Sequence, residues 1–199
     1  MPTSTASYNL GFTAFGLGAS HALALATVFV RLKDWPSAKQ EAITENVFRQ
    51  AKASSTTRLE REFRLRLQTL TEDQIELLVE EPSEAKIPIS LLAVFKRYRF
   101  IRDFSEEVLR EKSEIFDYEV RPSDYSSFVE QREPMHPELM ELSDTTAKKI
   151  RQVTLRVLTE GEILSATNPS RIAPAILTES VASVIRAEDP NLLRPFLQP

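Results

Sequence analysis

Hydrophobic and polar positions repeat with the period of an α-helix along most of the chain. Apolar residues recur every three or four positions, which is the spacing of a helix that buries one face. This spacing is found in residues 20–32, 56–70, 91–112, 143–160 and about 176–187. Residues whose side-chain oxygens can cap a helix N-terminus stand at the start of several helical segments, namely Ser20, Asp34, Thr71 and Ser143. The pattern predicts an all-α fold, built as a multi-helix bundle.

Two polar, proline-containing stretches interrupt this pattern. Residues 81–88 and 133–139 are predicted breaks between helices. The sequence EILSATNPSRIAP is typical of a small β-hairpin, which we place near the C-terminus at residues 162–173. We expect an N-terminal helical half over residues 1–80 and a C-terminal helical half with the hairpin over residues 89–199, together forming one compact unit.

An uncharged run near the N-terminus has two interpretations. Residues 10–30 carry no formal charge and are followed by Arg31 and Lys33, so their length would suffice to span a bilayer. The run also contains three glycines and several polar side chains, which make its hydrophobicity modest for a membrane span. We therefore expect a buried core helix that starts near Ser20, and keep a membrane-associated protein as an alternative.

The composition excludes several classes of chemistry. The 199-residue chain has no cysteine, which rules out disulfides, thiolate metal sites and thiol catalysis. Its two histidines, His21 and His136, are far apart in sequence, so we expect no metal site. The four glycines form no phosphate-binding loop, and no catalytic carboxylate pair or nucleophile triad is recognisable. We expect neither a cofactor nor enzymatic activity.

The charge balance restricts nucleic-acid binding to local basic patches, because the formal net charge is -4. One such patch lies in residues 56–70, where Arg58, Arg61 and Arg64 stand broadly opposite the apolar stripe. The forked guanidinium group of arginine suits phosphate, so these residues are candidate DNA contacts. The alternative is a solvated helix face held by ion pairs, since Glu60 and Arg64 have the i,i+4 spacing of such a pair.

A second basic cluster lies in residues 91–112. Lys96 and Arg99 stand on its polar side and are further candidate DNA contacts, although Arg99 also has the spacing to pair with Asp103. Arg102 falls inside the apolar stripe if the helix is continuous. A guanidinium in that position needs a partner, so we expect Arg102 to be more structural than functional.

The third basic face, in residues 143–160, has no acidic residue among its cations until Glu160 at its end. Its outward residues are candidate DNA contacts and comprise Lys148, Lys149, Gln152 and Arg156. Its inward residues are Ala147, Ile150, Val153, Val157 and Leu158. A basic helix followed by a hairpin is the order of a winged-helix DNA reader, in which Arg171 on the hairpin would touch phosphate. A solvated or partner-facing surface is the alternative.

Four segments together carry a resemblance to a known family. They are TTRLEREFRLRLQTL, FKRYRFIRDFSEEVLREK, RPSDYSSFVEQ and TAKKIRQVTLRVLTEGEIL. In this order they resemble the BrxA family of BREX phage-defence systems, over about residues 35–177. The resemblance implies a mainly helical protein, similar in part to the NusB-type antitermination fold. It also implies DNA binding without enzymatic activity, in a system that pairs DNA methylation with restriction of phage.

Taken together, these observations predict a cytoplasmic, non-enzymatic accessory protein of a bacterial BREX antiphage system. Its expected partners are double-stranded DNA and other BREX proteins. The alternatives are a helical adaptor that joins proteins within the BREX complex, and the membrane-associated protein considered above.

Overall fold

A computed structural model describes residues 6–198. Residues 1–5 and 199, which the expected halves include, lie outside the described residues. The α-helices, in chain order, are α1 Ala19–Leu32, α2 Trp35–Thr44, α3 Ala53–Leu67, α4 Glu72–Glu80, α5 Pro82–Arg97, α6 Arg99–Phe104, α7 Arg110–Glu114, α8 Pro122–Arg132, α9 Pro137–Met140, α10 Asp144–Glu160 and α11 Glu179–Glu188. Other helical segments are a π-helix, Ser105–Leu109, and 3₁₀ helices at Glu133–Met135 and Pro190–Phe196.

The strands are short. They are β1 Glu119–Val120 and β2 Ser170–Arg171, which pair antiparallel. An antiparallel bridge between Leu164 and Ile172 also closes the predicted hairpin loop on itself. The prediction of an all-α fold with a small hairpin is therefore confirmed. The similarity to the NusB-type fold stays a prediction.

Several helix starts follow from local capping chemistry. Asp34, Thr71 and Ser143 each accept a hydrogen bond from the backbone N–H three residues on, as predicted. Ser20 does not cap α1, because Gly18 adopts a left-handed conformation with φ of 62° and the helix begins directly after it. Any side chain at Gly18 would collide with the ring of Phe63. Gly18, rather than Ser20, is therefore the residue that marks the start of α1 in the sequence.

The uncharged N-terminal run contains a core helix rather than one long apolar element. Residues 6–18 are not helical, and α1 buries Ala22, Leu25 and Phe29. Within residues 6–198 no helix is long and apolar enough to cross a membrane.

The predicted break at residues 81–88 is wrong, because α5 runs through it. Pro82 stands at the first helical position, where the missing N–H costs nothing. Pro88 lies inside the helix, yet the helix continues because residues 89–95 that follow are all buried. Packing of this apolar run outweighs the single backbone hydrogen bond that Pro88 removes.

The helix predicted over residues 91–112 is not continuous. It stops at Tyr98, whose φ of -120° and ψ of 81° are not helical, and restarts as α6 before the π-helical turn. The placement of Arg102 inside a buried stripe is therefore wrong. Its side chain is 31% exposed, and its Nε lies 3.7 Å from Oδ1 of Asp103 in a loose ion pair.

The first of two compact units, here the helical unit, comprises residues 18–97 and 176–192. It contains α1–α5 together with α11, whose Val181 and Ile185 are fully buried. The side-chain amide of Gln74 on α4 donates to the carbonyl of Val184 at 3.2 Å. The C-terminal helix thus packs with the N-terminal helices, and this grouping crosses the halves expected from sequence.

The second unit, here the hairpin unit, comprises residues 6–17, 98–175 and 193–198. It contains α6–α10 and both strands. Its core includes a cluster of edge-to-face rings with centroids 5.3–6.2 Å apart, formed by Phe100, Phe104, Tyr125 and Phe128. This cluster packs α6, from its second to its last residue, against α8.

Candidate nucleic-acid interface

Helix α10 of the hairpin unit has one buried and one exposed side. Ile150, Val153, Val157 and Leu158 are all at most 1% exposed, as their positions on the apolar stripe predicted. Ala147 was expected on the same side but is exposed, because burial along α10 begins only at Ile150. The exposed side carries what we call the α10 basic face, which comprises Lys148, Lys149, Gln152 and Arg156.

The cations of the α10 basic face differ in how far they are engaged. Lys148 makes no hydrogen bond or ion pair with any residue between 6 and 198. Nζ of Lys149 donates to Oε1 of Gln152 at 3.2 Å, an uncharged partner. Nε of Arg156 lies 3.8 Å from Oε1 of Glu160, and both side chains are more than 40% exposed. The charges of the two lysines are therefore not neutralised within the described chain.

Glu160 forms the acidic end of this face and holds the N-terminal segment. Its Oε2 accepts a hydrogen bond from the backbone N–H of Leu17 at 2.6 Å. A Cβ atom at Gly16 would collide with the same carboxylate, so glycine permits this close approach. Sequence reasoning treated Glu160 only as the end of the basic face, because nothing local predicts a partner 143 residues away.

Arg171 lies on β2, in the same unit as α10. It stands opposite Glu119 in the two-stranded ladder, and its side chain is exposed. The carboxylate of Glu119 lies 3.4 Å from Nε of Arg121 instead, and the guanidinium of Arg171 has no ion pair within the described part of the chain. Along the chain, the basic helix α10 is followed by the hairpin loop that carries the exposed Arg171, which is the order predicted from the sequence.

Lys96 and Arg99 are engaged by internal partners. Nζ of Lys96 lies 2.7 and 2.8 Å from the two carboxylate oxygens of Glu188, and its side chain is only 13% exposed. Arg99 pairs through Nε with Oδ2 of Asp103 at 3.1 Å, as its spacing predicted, and its Nη2 lies 3.2 Å from Nε2 of His136. We therefore assign both cations to the support of the fold and leave them out of the proposed interface.

Arg99 belongs to a buried polar network that sequence reasoning missed. The hydroxyl of Tyr8 donates to Oδ2 of Asp103 at 2.9 Å, and the Tyr8 ring stacks on His136 at 3.9 Å between centroids. Burial, together with the negative charge of Asp103, raises the pKa of Tyr8 to about 12. His136 is 2% exposed, and its Nδ1 lies 3.1 Å from Oε1 of Glu138. No cluster of potential metal ligands occurs among residues 6–198.

The early basic helix α3 belongs to the helical unit. Nε of Arg64 lies 2.6 Å from Oε1 of Glu60, the i,i+4 pair considered as the alternative. Arg58 and Arg61 are exposed, and Arg61 forms no ion pair with any described residue. Of the three candidates on α3, Arg61 therefore has the most accessible charge.

Comparison with known proteins places the chain in a family. A family model described as BrxA matches residues 6–189. A curated relative, the "BREX protein BrxA" of Bacillus cereus (strain H3081.97), is 27% identical over 150 residues, which are 75% of each chain. The crystal structure of an uncharacterized protein from Magnetospirillum magneticum superposes with a TM-score of 0.82 at 18% identity. It covers 97% of this chain and 99% of its own, and supports the fold. The match over nearly the whole length agrees with the resemblance seen in the sequence, and the chain belongs to the BrxA family.

Proposed function

We propose that this chain is a non-enzymatic accessory protein of a bacterial BREX antiphage defence system, acts in the cytoplasm and binds double-stranded DNA. Membership of the BrxA family and the name of the Bacillus cereus relative support the assignment to BREX. The DNA-binding part of the proposal rests on the α10 basic face.

The exposed cations of α10 are the observation that carries this proposal. Phosphate contacts supply most of the affinity of a protein for DNA, and lysine and arginine provide them. A helix about 10–12 Å in diameter with its side chains fits a major groove about 12 Å wide. In this arrangement Lys148, Lys149 and Arg156 neutralise phosphates, while the amide of Gln152 faces base edges. Arg171 on the hairpin adds a phosphate contact.

A DNA titration at several salt concentrations tests the proposal. Replacing Lys148, Lys149 and Arg171 by alanine removes three cations that have no ion pair within residues 6–198. The slope of log affinity against log salt should become shallower by about 2.7, at about 0.9 per lost phosphate contact. The fold should remain intact because these side chains are exposed.

The control replaces Arg58 and Arg61 on α3, which are exposed, and keeps Arg64 in its ion pair with the buried Glu60. If only this variant changes the slope, α3 is the DNA-binding helix and the winged-helix interpretation of α10 is wrong. A wild-type affinity that does not change between about 50 and about 200 mM salt would remove phosphate binding altogether.

A helical adaptor within the BREX complex is the second candidate function. It is favoured by two large apolar side chains that face solvent, Ile115 and Phe116, which are 72% and 78% exposed. Exposed apolar groups of this kind are typical of protein interaction sites. The two functions are compatible because these residues lie in a different part of the sequence from the α10 basic face.

A further inference from the structure

Helix α7 ends in a turn that normally contains glycine. The N–H of Asp117 donates to the carbonyl of Lys112 at 2.9 Å, and the N–H of Phe116 donates to the carbonyl of Ser113 at 3.1 Å. This pair of bonds defines a Schellman motif, in which the residue after the C-cap is left-handed and is usually glycine. Here that residue is Phe116, with φ of 61°.

A phenylalanine at this position does not serve the stability of the fold. The left-handed conformation brings Cβ into steric conflict that glycine avoids. The ring is 78% exposed, and its ring contact is an edge-to-face approach to Tyr118 at 6.4 Å between centroids. Among residues 6–198, Phe116 is the one exposed apolar residue with a positive φ. The other non-glycine residues with a positive φ are Lys33, Asn46, Arg49, Glu162 and Leu197, of which only Leu197 is apolar, and it is partly buried. Backbone strain at a non-glycine residue whose side chain stays exposed points to a role in an interaction.

The turn that carries the ring is held rigid from both sides. Nζ of Lys112 lies 2.6 Å from Oδ2 of Asp117 and 3.2 Å from Oδ2 of Asp124. Arg121 also donates to Oδ2 of Asp117 at 2.9 Å. The hydrogen bonds from Arg121 and Lys112 hold the pKa of Asp117 well below its usual range, so its charge persists at all ordinary pH values. Because the turn is ordered before binding, little conformational entropy is lost when a partner binds Phe116.

The charges around the turn indicate the chemistry of that partner. The three cations of residues 110–121 form ion pairs with nearby acids. Nε of Arg110 lies 2.9 Å from Oε1 of Glu114. Lys112 and Arg121 both pair with the carboxylate of Asp117. Glu111 is exposed and forms no ion pair within the described chain. The open charge beside the apolar side chains is therefore negative, which repels phosphate and favours a protein that presents a cation.

We propose that Ile115 and Phe116 form a docking knob that inserts into an apolar pocket, bordered by lysine or arginine, on another protein of the BREX system. The identity of the partner as a BREX protein rests on the proposed function. A buried aromatic anchor at the centre of an interface is a typical binding hot spot. The basic border of the pocket would pair with Glu111.

Photo-crosslinking in cells that carry the complete BREX locus identifies the partner. The amino acid p-benzoylphenylalanine replaces Phe116, and mass spectrometry locates the adduct. We expect an adduct on a BREX-encoded protein, at an apolar surface beside lysine or arginine. An adduct on DNA, on a second copy of this chain or on no BREX protein would overturn the proposal.

Titration of the purified partner completes the test with three variants. Phe116→Gly should weaken binding by about tenfold or more, since a fully buried aromatic side chain is lost from the interface. Glu111→Lys should weaken it, and added salt should partly restore the binding because it screens the repulsion between the new lysine and the basic border. Met140→Ala, which truncates another apolar side chain that is 68% exposed, should leave the affinity unchanged.

The melting temperature separates docking from a structural role of the ring. Phe116→Gly should melt at or above the wild-type temperature, because glycine relieves the left-handed strain. A clearly lower melting temperature would mean that the ring supports the fold, and would overturn the proposal. The same variant should keep the wild-type affinity for DNA, so a failure of the knob and a failure of the DNA interface are distinguishable.

Discussion

Replacing Glu160 by glutamine is expected to tighten DNA binding. Glu160 is the acidic group at the end of the α10 basic face, and its Oε1 lies 3.8 Å from Nε of Arg156. A phosphate held by Arg156 would lie close to this carboxylate and be repelled by it. Glutamine removes the charge but keeps an oxygen that can accept the N–H of Leu17, so the N-terminal segment should stay attached.

The size of the effect follows from the separation of the charges. A phosphate that contacts Arg156 would lie about 6 Å from the Glu160 carboxylate, where two unit charges in water repel by about 0.7 kcal/mol. The dielectric constant of water applies because both side chains are more than 40% exposed. The expected gain is about threefold in affinity at low salt, since about 1.4 kcal/mol corresponds to tenfold. The gain should fade at about 1 M salt, where the screening length falls to about 3 Å.

Fluorescence anisotropy with a labelled DNA duplex measures this gain. Glu45→Gln, the same change at an exposed carboxylate on the helical unit, controls for the change in net charge. The melting temperature of Glu160→Gln should stay within about 2–4 °C of wild type, the shift for about 1 kcal/mol in a chain of this size. If Glu160→Gln folds but binds DNA no tighter than Glu45→Gln does, Arg156 does not contact phosphate and the orientation of α10 on DNA is wrong.

Three further predictions concern stability and can be checked by thermal melting. Val153→Asp should unfold the hairpin unit, because it places a carboxylate at a position that is 0% exposed, and wild-type melting would contradict the buried face of α10. Thr71→Ala should cost about 1 kcal/mol, because α4 loses the capping box that Thr71 forms with Gln74, whereas an unchanged melting temperature would contradict that role. An unfolded tyrosine ionises near pH 10 and Tyr8 near pH 12, so stability is lost as pH rises through this interval. Tyr8→Phe should reduce that alkaline loss, and an equal loss in both proteins would show that Tyr8 does not cause it.

Features set by neighbouring residues were predictable from the sequence. The helix α10 begins after Ser143 and ends before Gly161, as its cap and its apolar spacing predicted. Its polar side is exposed because only the opposite side carries residues that packing can bury. The i,i+4 pairs of Arg64 and Arg99 were predictable for the same reason, since helix geometry alone brings their partners within reach.

Features that depend on distant residues were not predictable. Lys96 is a candidate DNA contact on the polar side of its helix from the sequence, but Glu188, 92 residues away, pairs with its ammonium group. His136 lies within the predicted break at residues 133–139, yet Tyr8 and Arg99 bury it in a polar network. Pro88 looked like a helix break because propensity is local, whereas the burial that overrides it involves the whole helical unit. The charge pattern of one helix does not reveal which of its cations a remote segment will neutralise.

The way that residues 98–175 interrupt the helical unit has a consequence for synthesis of the protein. During translation, α1–α5 leave the ribosome long before α11, so this unit lacks one of its helices until residue 188 has emerged. The side-chain NH₂ group of Gln74, which donates to Val184 and Glu188, has no native acceptor during that interval. A premature stop after residue 175 would remove parts of both units, so even late truncations should yield unfolded, protease-sensitive chains. Neither unit can be completed as an uninterrupted nascent domain, because each includes residues that follow residue 175.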